Sequence, residues 1–108
     1  VKKMAHSYKN KKVDFTSTNQ IDLLAPAEKK TMIIKSMIIS DDGGGSGYAI
    51  VITNGSDTFN FIPTGSVGSN AVAELLTNPF VLEYGDTLKM TATTADRLHI
   101  VISYLEVS

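Results

Sequence analysis

The chain contains no cysteine and no tryptophan. Without cysteine there is no disulfide framework, no thiolate metal site and no thiol nucleophile. Histidine is scarce: His6 and His99 are the two imidazoles. A zinc site would therefore need several carboxylates, and none stands at a recognisable ligand spacing. Long apolar runs are also missing. The longest, Tyr48 to Ile52, is far too short for a membrane-spanning helix. What remains is a balanced composition, 43% hydrophobic and 19% charged, typical of a globular protein and too apolar for a disordered one. The 108 residues are enough for one domain, which at this size buries roughly two-thirds of its unfolded surface.

Catalytic motifs are equally sparse. Gly43 to Gly47 is glycine-rich but runs into Tyr48 and a strand, whereas a phosphate loop needs Gly-Lys-Ser/Thr opening a helix. Asp41-Asp42 offers two carboxylates to a calcium ion without the alternating acids of an EF-hand. No Gly-x-Ser-x-Gly elbow is present to mark a serine nucleophile, and His99 reads as a half-buried strand residue. Asn54-Gly55-Ser56 matches a glycosylation sequon but reads as a turn. The expectation is a protein that is not an enzyme, with no cofactor and no metal.

The net charge of −1 conceals a division. Residues 1 to 12 carry Lys2, Lys3, Lys9, Lys11 and Lys12 and no acid, a charge of +5, while the remainder carries −6. A basic segment on an acidic body is a pattern of interaction. We therefore read 1–19 as an extended basic N-terminal arm and 20–108 as the folded domain. Lys2, Lys3, Met4, Tyr8, Lys9, Lys11 and Lys12 are the candidate partner-binding residues. Lysines neutralise phosphates and Tyr8 can stack on a base, yet the acidic body repels a duplex, so nucleic acid is not an expected partner. The arm also lacks the apolar core of a secretory leader, so export is not expected.

The rest of the chain has the periodicity of strands. Gln20 to Leu24 is a short apolar segment before the Ala25-Pro26 turn. In Thr31 to Ser40, strict alternation places Ile33, Lys35, Met37 and Ile39 on one face and Met32, Ile34, Ser36 and Ile38 on the other, so both faces look apolar. Tyr48 to Thr53, Asn54-Gly55-Ser56 and Thr58 to Ile62 form a hairpin signal, with Phe59 and Phe61 expected in the core and the regular strand pattern expected to begin after Val13. Ala71 to Leu76 is ambiguous between a helical turn and a strand. Phe80 to Glu83, Thr87 to Thr93 and Leu98 to Val107 complete the set. Seven or eight strands with turns about every ten residues predict an all-β, jelly-roll-like antiparallel sandwich. Because Leu98 to Val107 is apolar on both faces, surplus apolar surface and a homo-oligomer are expected, a trimer being favoured.

Three stretches carry a resemblance: Leu24-Ala25-Pro26 before the Ile-rich strand, the run Pro79-Phe80-Val81-Leu82-Glu83-Tyr84-Gly85-Asp86-Thr87-Leu88, and the closing strands from Ala92 onward. Residues 20 to 108 resemble small β-sandwich virion structural proteins of tailed bacteriophages, in which a turn around Ala-Pro precedes a strand and a Leu-Glu-x-Gly-Asp segment precedes two closing strands. The resemblance implies a structural component of the virion, assembled in the host cytoplasm. Such a component is foremost a capsid decoration or cement protein bound to the major capsid protein or another virion protein, otherwise a part of the neck, tail or fibre. The basic arm is outside the resemblance. A carbohydrate-binding module is the alternative from a different class, with Tyr48 and Tyr84 as its stacking candidates. No membrane partner is expected.

Overall fold

The computed structural model describes residues 6–107. Among these, all regular structure is strand: β1 (His6–Asp14), β2 (Ile21–Leu24), β3 (Thr31–Asp41), β4 (Ser46–Asn54), β5 (Asp57–Val67), β6 (Val72–Glu74), β7 (Phe80–Leu82), β8 (Asp86–Ala92) and β9 (Leu98–Val107). The ambiguous segment after Ala71 is thus the short strand β6, because pairing with β3 supplies partners that six residues of isolated helix lack.

The strands form two antiparallel sheets. One runs β1-β9-β3-β6, with β7 pairing β3 beside β6; the other runs β2-β8-β4-β5. With β6 and β7 counted as one interrupted strand, the pairing follows a simple rule: outermost with outermost (β1·β9), then β2·β8, then β3·β6/β7, then β4·β5. The chain is one long hairpin, rolled so that β9 also meets β3 and β8 also meets β4. This is the jelly roll, a double-sheet architecture of two Greek keys.

β3, β9, β4 and β8 supply most of the core between the sheets. Met32, Ile34, Met37, Ile39, Leu98, Ile100, Ile102 and Tyr104 face Tyr48, Ile50, Leu88, Met90 and Ala92, and all are buried. Phe15, directly after β1, closes one end of the core at 1% exposure. Its N–H donates to the Leu98 carbonyl at 2.9 Å, and its own carbonyl accepts from Asp96 N–H at 2.8 Å.

Several expectations are corrected here. The regular strand pattern begins at His6, not after Val13: β1 pairs with β9 from His6↔Val107 to Asp14↔His99. In β3 the alternation is broken. Ile34 stands opposite Tyr104 but Ser36 opposite Ser103, so one extra residue, the exposed Lys35, is bulged out. The bulge changes the parity. Met32 and Ile34 before it and Met37 and Ile39 after it all turn inward, while Ile38 remains 39% exposed. The strand therefore has one buried face rather than two. Phe59 is likewise not in the core, being 58% exposed. It lies opposite Ile52 near the hairpin tip, on an edge strand beyond the cover of the facing sheet. Phe61 behaves as expected, packing against the core with its ring centroid 4.9 Å from that of Phe80.

Two turns are built on glycines at positive φ. Gly55 takes φ 62° in the two-residue connection of β4 to β5. Gly85 takes φ 101° before Asp86, whose Oδ2 accepts from Glu83 N–H at 3.0 Å and fixes the turn.

Candidate functional site: a basic sheet edge and the outer sheet face

β1 is the edge of the five-stranded sheet, and its register with β9 decides where each basic residue stands. Val13 and Lys11 lie opposite the buried Ile100 and Ile102, and Lys9 opposite Tyr104, so Val13, Lys11 and Lys9 share the side that faces the second sheet. Asp14, Lys12, Asn10 and Tyr8 lie opposite His99, Val101, Ser103 and Leu105 on the outer face. Val13 packs against the core. Ser7 to Lys12 are exposed on both sides, because the second sheet does not extend that far.

Of the sequence-predicted partner-binding residues, Tyr8, Lys9, Lys11 and Lys12 are thus brought together on one strand; Lys2, Lys3 and Met4 lie outside the described residues. Tyr8 is 82% exposed. Lys9 donates to Glu106 Oε1 at 3.0 Å, and Lys30 reaches the same oxygen at 3.4 Å. The Lys9 hydrogen bond holds the Glu106 carboxyl below the usual range, against the opposing effect of burial and with help from Lys30. The same contact raises Lys9.

The outer face is arranged in rows across β7 or β6, β3, β9 and β1. One row is Val81, Ile33, Leu105, Tyr8; another is Glu74, Ile38, Val101, Lys12. Between these partly apolar rows lies a shallow groove of about 470 Å³ lined by Tyr8, Lys9, Asn10, Lys35, Ser103 and Tyr104. The bulge in β3 places Lys35 at its wall. The groove was not visible in the sequence, because Lys35 and Asn10 meet only through the register of β3 and β1 on either side of β9.

The far end of this face carries a second feature that sequence reasoning missed. His99 Nδ1 bonds Asp14 Oδ1 on β1, and His99 Nε2 bonds Asp42 Oδ2 in the loop after β3. The Asp42 hydrogen bond, then that of Asp14, raises the imidazole above its ordinary pKa, against a lowering by burial. With a carboxylate oxygen at each ring nitrogen, the arrangement favours the doubly protonated ring, which donates to both and ties β1, β9 and the Asp42 loop together.

The neighbouring Asp41 is used differently. Its Oδ1 accepts N–H groups from Gly43 at 2.7 Å, Gly45 at 3.2 Å and Asn70 at 3.3 Å. Burial opposes its ionisation, but these donors and the charge of Arg97 outweigh it and hold the carboxyl below its ordinary range. The Asp41 and Asp42 carboxylates diverge, one into the glycine loop and the other onto His99, and do not converge on a shared cation position. Tyr48, a candidate for sugar stacking, is 7% exposed. Its ring covers Gly65, where an added Cβ would come within 2.4 Å of it. Tyr84 is exposed at 63%.

Compared with known protein families and with curated protein sequences, the chain matches none. The site stands on its own geometry: a jelly roll with a lysine-bearing strand edge and a grooved outer sheet face.

Proposed function

We propose that this chain is a virion structural protein of the tailed-bacteriophage kind, a capsid decoration or cement protein that attaches to the head shell through its basic N-terminal segment. The observation that carries the reading is the charge division. Lysines are concentrated in residues 1 to 12 of a chain whose remainder is acidic, and the described part of that segment lies on an exposed sheet edge. A jelly roll is a frequent architecture of capsid proteins and of lectins. Burial of Tyr48 removes one of the two aromatics that favoured the lectin alternative. The proposed partner is the major capsid protein or another virion protein presenting an acidic surface. Exposed apolar residues of the outer face, Val101, Ile38 and Val81, support self-association into a homo-oligomer, a trimer being favoured.

The test is co-sedimentation of the purified protein with head shells across a salt series. Replacing Lys2, Lys3, Lys9, Lys11 and Lys12 by Gln leaves the fold, read by circular dichroism, and releases the protein at lower salt. Copy number per particle distinguishes a shell protein from a neck, tail or fibre component. Absence of the protein from particles, or binding indifferent to both salt and the lysine changes, refutes the proposal.

A further inference from the structure

Among the described residues β1 has β9 as its one strand neighbour. Its other side turns the N–H and C=O groups of alternate residues of this nine-residue strand away from β9, a ready template for another strand. We infer that this edge takes up an extended acidic segment of a partner protein as an added strand, an inference that rests on the reading of the basic segment as an attachment device.

Charge selects the occupant. From Ser7 to Val13 the strand contains Lys9, Lys11 and Lys12 and no acid, and Asp14 is engaged by His99. A second copy of β1 laid alongside would bring lysines against lysines, and like charges on paired strands repel. The lysines thus exclude self-pairing and favour a segment of opposite sign. They stand on both faces of the strand, Lys12 outward and Lys9 and Lys11 on the other side, so an added strand meets a cation whichever way its acidic side chains alternate. The fold already contains this pairing once: Glu106, on the strand that flanks β1 on its bonded side, takes the Lys9 ammonium at 3.0 Å. An added strand would repeat it from the free side. Its outward side chains would lie beside the groove of Tyr8, Asn10, Lys35 and Ser103, where a phenol, an amide, an ammonium and a hydroxyl add hydrogen-bonding partners. A polypeptide fits this edge better than a nucleic acid. The edge offers backbone donors and acceptors in alternation, and a phosphate backbone supplies acceptors alone.

The experiment is an NMR titration of the full, isotope-labelled chain with a synthetic peptide of alternating glutamate and valine. The comparison probes are the same peptide with lysine for glutamate and a single-stranded oligonucleotide of equal charge. The acidic peptide is expected to slow exchange of the alternate amides between Ser7 and Val13 that point away from β9 and to give backbone contacts between the chains. Its affinity should fall with salt, and by roughly tenfold in the double variant Lys11→Gln, Lys12→Gln, which leaves the Lys9–Glu106 pair in place. The lysine peptide should not bind. Equal binding of peptide and oligonucleotide, with shifts confined to lysine side chains and no amide protection, overturns the inference, as does no binding of the acidic peptide. If strand addition fails while the lysine variants still release the protein from particles, the attachment reading stands and only its mode is refuted.

Discussion

The bulge at Lys35 can be tested by side-chain truncation on either side of it. Ile34 and Met37 are both fully buried, whereas Ile38 is 39% exposed. With unbroken alternation, Ile34 and Ile38 would share a face and Met37 would lie on the opposite one; the bulge instead puts Ile34 with Met37. Ile34→Ala removes three buried carbons, worth about 2.4 kcal/mol at about 0.8 kcal/mol each, and the cavity left behind brings the loss to about 3–4 kcal/mol. Met37→Ala belongs to the same class, at about 2–5 kcal/mol. Ile38→Ala, on the open face and 39% exposed, should cost about 1–1.5 kcal/mol, with no buried cavity to add to it. In a domain of this size each kcal/mol moves the melting midpoint by roughly 4–8 °C, so the three variants separate clearly in thermal scans and in urea titrations followed by circular dichroism. If Met37→Ala melts with the parent protein while Ile38→Ala loses as much as Ile34→Ala, β3 alternates without a bulge, and the outer face described above is wrong.

Three further outcomes follow from other contacts. Phe59→Ala should change stability by no more than about 0.5 kcal/mol, and Phe61→Ala, which loses its contact with Phe80 and the core, by about 1–3 kcal/mol; equal losses in urea titrations would contradict the placement of the hairpin. Gly65→Ala drives a methyl group into the Tyr48 ring and should destabilise by about 1–3 kcal/mol, with Tyr48→Ala restoring tolerance of the change in a double-variant cycle. Because the folded protein raises the His99 pKa above the unfolded value of about 6.5, the stabilisation from the imidazolium is fully present below that value. It is lost as pH rises through the folded-state pKa. Both aspartates are largely exposed, so the effect should be at most about 1 kcal/mol. His99→Gln should flatten stability measured between mildly acidic and mildly alkaline buffer, and an unchanged slope would show that the cluster does not titrate with folding.

The class of fold was legible because turn signals and strand periodicity are local. Asn54-Gly55 and Gly85-Asp86 specify their turns by backbone chemistry alone. Leu88, Met90 and Ala92 alternate without interruption in the sequence, and all three are buried. What escaped depends on the partner strand. A bulge is a mismatch between two strands, and nothing in TMIIKSMIIS announces it. Phe59 and Phe61 have the same periodicity, and their different burial reflects how far the opposite sheet extends. The segment around β1 looked like a tail because its side chains are polar; its place in the sheet comes from backbone pairing with β9 and from Phe15, a single core residue just beyond it. The lysines were visible, but their arrangement on both faces of an edge was not. The His99 cluster was invisible because Asp14, Asp42 and His99 lie far apart along the chain.

The position of β9 bears on how the molecule comes into being. β9 lies between β1 and β3, so these two early strands do not touch: β1 has no strand partner, and β3 only the short β6 and β7, until the last strand of the described chain emerges from the ribosome. His6 meets Val107, a closure across the whole described chain, and such long-range pairing places folding in the slow, millisecond-to-second regime. Until then β1 is an unpaired basic segment and β3 an Ile-rich strand lacking its longest neighbour. The lysines of β1 keep one of these waiting segments soluble. β3 carries one lysine, Lys35, against the three of β1, and only the short β6 and β7 to cover it, so interrupted synthesis should send the nascent chain toward aggregation through β3 rather than through its N-terminal strand.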